Sequence, residues 1–182
     1  SDVVIFVGGI TAQLEGEEMR VNYEGFRGGD RTNIKMPKVQ EHLLLALHKT
    51  GKPIVLVSTS GSALALNWAN DNIPAIVLLW YPGQEGGTAL ADVLFGDYNP
   101  AGRLPVTFYK SVEQLPAFID YNMKGRTYRY FEGEPLYPFG YGMSFTQFEY
   151  ANQEVSYLRD EKKVRVTVQV KNVGEIPGDE VV

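Results

Sequence analysis

The chain has 182 residues, 44% hydrophobic and 21% charged, enough apolar material for about one to one and a half domains with a sizeable core. Its net charge of −5 argues against a nucleic-acid partner, which needs clustered positive charge. The absence of cysteine excludes disulfides, thiolate metal sites and a Cys nucleophile without fixing the compartment, and no apolar run approaches the roughly 20 residues of a membrane span.

The first element is the apolar run Val3 to Val7. Without in/out alternation it reads as a parallel strand covered on both faces. Gly8 and Gly9 break it, and three carboxylates, Glu15, Glu17 and Glu18, follow within four residues. In open α/β sheets the crevice beyond the carboxyl ends of the strands is where ligands sit. This cluster is therefore a candidate acid or base, although a solvated loop or a first helical turn accounts for the spacing equally well.

A polar, Gly-rich segment leads to Arg31. Val39, Leu43, Leu44, Ala46 and Leu47 then recur at helical spacing, predicting an amphipathic helix over Pro37 to Lys49. His42 and His48 fall on it as surface residues, because no further ligand is spaced to join them. Ile54 to Ser58 is the second buried strand, Thr59 to Ser62 a turn, and Ala63 to Ala69 a helix. Ser62 reads as a turn or cap residue rather than a nucleophile, since the Gly-x-Ser-x-Gly elbow is absent. Pro74 to Trp80 is the third strand, and Thr88 to Phe95 the helix after it.

The glycines between them, Gly83, Gly86 and Gly87, lack a phosphate-binding pattern and fit close packing of a helix start on the sheet. Three strand–helix units with loops at one sheet edge make an α/β layered sandwich with a mostly parallel sheet. Val106 to Phe108 is a short strand, and the stretch from Leu115 to Phe148 is aromatic and loop-rich. Most of the aromatic residues lie between Tyr81 and Phe148, which suits a carbohydrate surface and equally a plain core.

The texture changes near Thr146. Phe148 to Tyr150 and Val164 to Val170 alternate strictly, as antiparallel strands with one wet face do, and Val181-Val182 reads as the start of another. A sandwich of this kind needs about seven strands over roughly 100 residues. The chain is therefore expected to be a fragment of something longer, with any targeting segment outside it.

Two long motifs carry a resemblance. The run from Tyr81-Pro82-Gly83-Gln84-Glu85-Gly86-Gly87 through Asp92 to Pro105 resembles the central signature of family 3 glycoside hydrolases. Tyr137-Pro138-Phe139-Gly140-Tyr141-Gly142-Met143-Ser144-Phe145-Thr146 resembles that family's exit from its sandwich domain. The resemblance implies residues 1–145 as the family's C-terminal α/β sandwich domain, N-terminally truncated. It implies residues 146–182 as the beginning of an incomplete fibronectin type III-like β-sandwich. An N-terminal barrel domain of the same protein is the implied partner.

Within the family the general acid/base is a Glu on a loop before a Gly-Asp-Arg segment, here Gly29-Asp30-Arg31. Glu15-Gly16-Glu17 resembles the Glu-x-Glu form of its xylosidase-like branch, whose first Glu is the acid/base. That points to Glu15. Met19 to Gly28 lengthens the intervening loop and leaves Glu17 as the alternate. The family's Asp nucleophile belongs to the barrel and matches no residue here. The implied reaction is retaining hydrolysis of terminal β-linked sugars, with oligosaccharides or aryl β-glycosides as substrates, two carboxyls roughly 5 Å apart, and no cofactor or metal. With half the pair elsewhere, this chain alone is expected to be inactive.

Gly125-Arg126-Thr127-Tyr128-Arg129 resembles a segment of β-xylosidase and arabinofuranosidase-like members. An aromatic plug with arginines stacked on tyrosines explains it structurally. β-Xylosidase is favoured over β-glucosidase, and a periplasmic or secreted location is expected. Two other readings compete. One is a non-catalytic carbohydrate-binding or scaffold domain, opposed by Glu15 standing before Gly29-Asp30-Arg31. The other is a nucleotide-binding α/β domain, opposed by the missing phosphate motif and the acidic balance.

Overall fold

The computed structural model describes residues 1–16 and 19–182, so Glu17, the alternate acid/base, and Glu18 lie outside the described residues. The chain divides into two units. The first comprises residues 1–90 and 104–141, the second residues 91–103 and 142–182.

The first unit is built on three parallel strands, β1 (Val4–Gly9), β4 (Ile54–Thr59) and β5 (Ala75–Leu78), in spatial order β1-β4-β5. Between β1 and β4 come α1 (Ala12–Glu15), a two-residue hairpin of β2 (Phe26–Arg27) and β3 (Asp30–Arg31), and α2 (Lys38–His48). α3 (Asn67–Asn72) joins β4 to β5, and α4 (Gly86–Phe95) follows. The parallel α/β architecture read from the sequence is present, with β1 in register from Val4 against Ile54 to Gly9 against Thr59.

The core forms where the sheet meets its helices. Phe6, Leu44, Ile54, Leu56, Leu64 and Leu66 are buried in one cluster. Full burial of a side chain such as Leu56 is worth about 1.5–3 kcal/mol. A second cluster joins Leu104, Phe108 and Tyr137, with Trp80 edge-on to Phe108 at 6.1 Å.

Several elements differ from expectation. β1 is not covered on both faces: Phe6 is buried, whereas Ile5 and Val7 are 49% and 60% exposed. Its apolar run reflects β-branched strand preference on one face and core packing on the other. α2 is turned from the expected stripe. Leu44 is buried and Leu47 packs on the core, while Val39 and Leu43 face solvent. That rotation brings Gln40 onto the end of β1, where its amide brackets Gly9, accepting from the Gly9 N–H at 2.6 Å and donating to the Gly9 carbonyl at 2.9 Å.

The helix expected over Ala63 to Ala69 starts only at Asn67. Leu64, Ala65 and Leu66 are all buried, and the Ala65 N–H bonds to the Ile34 carbonyl, so this stretch is held as irregular buried chain. α4 begins two residues earlier than expected, at Gly86. A Cβ there would meet Pro82 at 2.5 Å, so close packing accounts for Gly86 but not for Gly83 or Gly87, which face open space. The strand expected over Val106 to Phe108 is reduced to one bridge, Phe108 with Tyr137.

Arg126 does not stack on a tyrosine. Its guanidinium ties down the backbone carbonyls of Asp120, Ala117 and Asn122. The aromatic contacts in that region are Tyr128 on Phe139 at 4.4 Å and Tyr109 against Phe131 at 5.0 Å, around the single turn α5 (Thr127–Tyr130).

In the second unit, β6 (Phe148–Leu158) and β7 (Lys163–Asn172) form an antiparallel hairpin with an irregularity between Ala151 and Glu154. Val168 and Val170 are half-buried, but Val164 and Val166 are exposed, so the expected dry face is open at the far end. Val181-Val182 is not a strand, having no ladder partner among the described residues. Near the start of the hairpin, Asn99 Oδ1 accepts from the Ser144 hydroxyl and the Phe145 N–H, and Arg103 pairs with Glu180 at 2.6 Å.

Candidate active site

Each strand of the sheet ends in a loop that delivers one group to the same place. Beyond β1, Thr11 caps α1 by accepting from the Leu14 N–H, and Gly16 in the left-handed conformation ends it after a single turn. Glu15 is the last residue of that turn. Beyond β4, Ser60 organises the turn, bonding both the N–H and the carbonyl of Ser62. Beyond β5, Trp80 takes a left-handed φ of 54°, which a bulky side chain rarely adopts, and the chain reverses into Tyr81.

Together these loops hold the Glu15 carboxylate at both oxygens. The Ser62 hydroxyl donates to Oε1 at 2.7 Å, and the Tyr81 hydroxyl donates to Oε2 at 2.7 Å. Gly61 makes this possible: a Cβ on it would lie 2.8 Å from Glu15 Oε2 and 2.8 Å from the Tyr81 ring. At the carboxyl end of β1, a Cβ on Gly9 would meet the Thr59 carbonyl at 1.9 Å, so the two strands approach there only because Gly9 has none.

Arg31 comes from the β2–β3 hairpin, whose turn is made by Gly28 and Gly29, both with positive φ. Its Nη1 donates to the Ser62 hydroxyl at 2.8 Å and to the Ala63 carbonyl at 3.0 Å, and its guanidinium lies over the Phe26 ring at 5.8 Å. Arg31 thus reaches Glu15 through Ser62. Burial lowers the guanidinium pKa, opposed by the nearby Glu15 charge, and arginine stays cationic regardless. Tyr81 is pushed up to about 12, first by burial of its hydroxyl and then by its bond to Glu15. It keeps its proton across any ordinary working pH. An open cleft of about 550 Å³ runs past Ala12, Glu15, Gly29, Asp30, Arg31 and Tyr81.

The structure brings Glu15 and Arg31 of the Gly29-Asp30-Arg31 segment together through the Ser62 hydroxyl. It gives Ser62 a role the sequence reading missed: the turn is made by Ser60, which frees the Ser62 hydroxyl for Glu15. Tyr81 and Gly61 were missed as well. The signal available for all three was position, since each lies just beyond the carboxyl end of a parallel strand. His42 and His48 are exposed on α2, His48 edge-on to Trp68 at 5.2 Å. Among the described residues no group of three or more His, Cys, Asp or Glu is placed to hold a metal ion.

The parallel α/β domain thus holds one carboxylate clamped beyond its strand ends, facing an open cleft. The chain belongs to glycosyl hydrolase family 3, matching its C-terminal domain over residues 1–145. It is 56% identical over 98% of its length to a xylan 1,4-β-xylosidase of Xylanibacter ruminicola, and 40% identical over 95% to a periplasmic β-glucosidase of Salmonella typhimurium. It spans 21% and 24% of those two proteins. Among solved structures it is similar to an exo-β-xylosidase of the family in complex with a xylobiose aziridine probe, with a TM-score of 0.71 and 38% identity over 84% of this chain and 20% of that one. It is similar also to the β-glucosidase of Kluyveromyces marxianus, with a TM-score of 0.76 and 30% identity over 94% of this chain and 21% of the other.

Proposed function

We propose that this chain is part of a retaining, exo-acting β-glycosidase and supplies its general acid/base, Glu15. The observation that carries the reading is the Glu15 carboxylate, fixed at both oxygens by Ser62 and Tyr81 and open to a cleft. A carboxyl that hands a proton to a leaving oxygen and takes one from water must be accessible and fixed in orientation. In the proposed protein an Asp on an N-terminal barrel attacks the anomeric carbon while Glu15 protonates the departing oxygen. A water then gives its proton to Glu15 and its oxygen to the anomeric carbon, releasing the Asp. Residues 1–145 form the sandwich domain, and residues 146–182 begin a fibronectin-like module, a boundary supported by the change to an antiparallel hairpin at Phe148. The chain alone lacks the nucleophile and is inactive.

Terminal β-xylosides are the favoured substrates. The identity to the Xylanibacter xylosidase and the Gly125-Arg126-Thr127-Tyr128-Arg129 segment support this over glucosides. A periplasmic or secreted location is in keeping with the Salmonella relative. The test is Glu15→Gln in the full-length protein. Turnover of an alkyl β-xyloside, which needs the acid, falls by about 10²–10⁴-fold. Formation of the glycosyl-enzyme from an aryl β-xyloside with a good leaving group falls far less. Equal losses on both substrates, or none on either, contradict the reading.

A further inference from the structure

The two oxygens of Glu15 are not equivalent, and the hydrogen-bond chain that ends on them decides which one carries the proton. Arginine has donors only, so the contact between Arg31 Nη1 and Ser62 Oγ at 2.8 Å makes the serine oxygen an acceptor there. The single hydroxyl proton of Ser62 is then directed to Glu15 Oε1 at 2.7 Å. A proton on Oε1 would turn Ser62 into a double acceptor and leave its own hydroxyl proton with no acceptor among the described residues. An unmade bond of this kind at a half-buried group is costly.

Tyr81 is held less tightly. Its hydroxyl donates to Oε2 at 2.7 Å, and its oxygen faces the Gly61 backbone N–H rather than a charged donor. The residue as a whole is 42% exposed against the half-buried Ser62, so the Tyr81 side is the one where the hydroxyl proton can reach water while the oxygen accepts. Among the described residues, the charged and titratable side chains lining the cleft beside Glu15 are Asp30, Arg31 and Tyr81.

We propose that the transferable proton of Glu15 resides on Oε2, with Oε1 held as a fixed acceptor by the Arg31–Ser62 chain and Tyr81 switching from donor to acceptor as Glu15 gains its proton. Ser62, Arg31 and Tyr81 are then positioning residues of the proposed acid/base, and this inference rests on that reading of Glu15. In the acid step the Oε2–H bond breaks as the leaving oxygen gains the proton, and Tyr81 turns its own O–H onto the new carboxylate. In the base step a water proton arrives at Oε2, and Tyr81 turns away.

The test is infrared pH-difference spectroscopy of the full-length protein. The carboxyl C=O band of protonated Glu15 is identified by its loss in Glu15→Gln. With the proton on Oε2, the C=O is Oε1, which accepts from Ser62. Ser62→Ala then shifts the band to higher frequency, Ser62→Thr keeps it in place, and Tyr81→Phe leaves it nearly unmoved. A band that moves in Tyr81→Phe and not in Ser62→Ala puts the proton on Oε1 and overturns the proposal. So does a band that moves in both variants or in neither. Failure of the underlying reading looks different: Glu15→Gln would then hydrolyse alkyl β-xylosides normally, whatever the band does.

Discussion

Gly61 is the smallest residue at the site and sets its geometry. A Cβ on it would lie 2.8 Å from both Glu15 Oε2 and the Tyr81 ring, closer than either contact allows. Gly61→Ala forces the flexible ends of both side chains to shift while leaving the core untouched. A shift on the order of 1 Å at a catalytic group costs up to about 10²-fold in rate. The expectation is a large drop in kcat/KM with Tm nearly unchanged. A Tm loss with normal kinetics of the folded fraction would put Gly61 among the structural glycines instead. Trp80 works at the same scale, since its left-handed backbone aims Tyr81 and its ring is anchored on Phe108. Neither residue announces itself in the sequence. The carboxylate cluster that contains Glu15 did, because charges beyond a strand end stand out against apolar runs, and only the family resemblance singled out Glu15 within it, whereas Ser62 and Tyr81 matter through three-dimensional convergence that spacing does not encode.

At the scale of elements, the strands were legible and the helix faces less so. Ile54 to Ser58 and Pro74 to Trp80 read as strands because β-branched and apolar runs bounded by Gly, Pro or Ser have few other outcomes. The face of α2 was misread because Val39 and Leu43 share helical spacing with Leu44 and Leu47, and periodicity alone does not say which half of a wide stripe is buried. Gln40 decides it by clamping Gly9. Replacing Gln40 with Leu leaves the Gly9 N–H and carbonyl without these partners, at about 1–3 kcal/mol for each unsatisfied group. Thermal denaturation of Gln40→Leu should show a clear loss of stability, and an unchanged Tm would mean that water replaces both bonds at no cost.

The second cluster makes a pH-dependent contribution. Burial, then Tyr141 and Asp71, push Tyr137 from its ordinary value near 10 up to about 12. Its ring stacks on Tyr141 at 5.0 Å. Unfolding lowers the pKa back toward 10, so the neutral phenol favours the folded state. This stabilisation is complete below pH 10 and disappears as the pH rises to 12. Wild type should therefore lose more Tm across that window than Tyr137→Phe. Parallel Tm curves for the two would contradict the assignment.

Over the whole molecule, the family was readable from two long motifs, and the match over residues 1–145 agrees with them. The open face of β1 and the exposed valines of β7 belong to elements whose apolar residues outnumber their partners among the described residues. β1 looked two-sided in the sequence because β-branched residues suit an exposed strand face as well as a buried one, so an apolar run does not by itself report cover on both sides. The role of Glu15 is tested by azide rescue of Glu15→Ala in the full-length protein on an aryl β-xyloside. An activated leaving group needs little acid, and azide attacks the glycosyl-enzyme without a base. With Glu15 as the acid/base, turnover is slow and azide restores it, with a β-glycosyl azide as product. Near-normal turnover without azide, or no azide product, would contradict that role and pass it to Glu17 or to no residue of this loop.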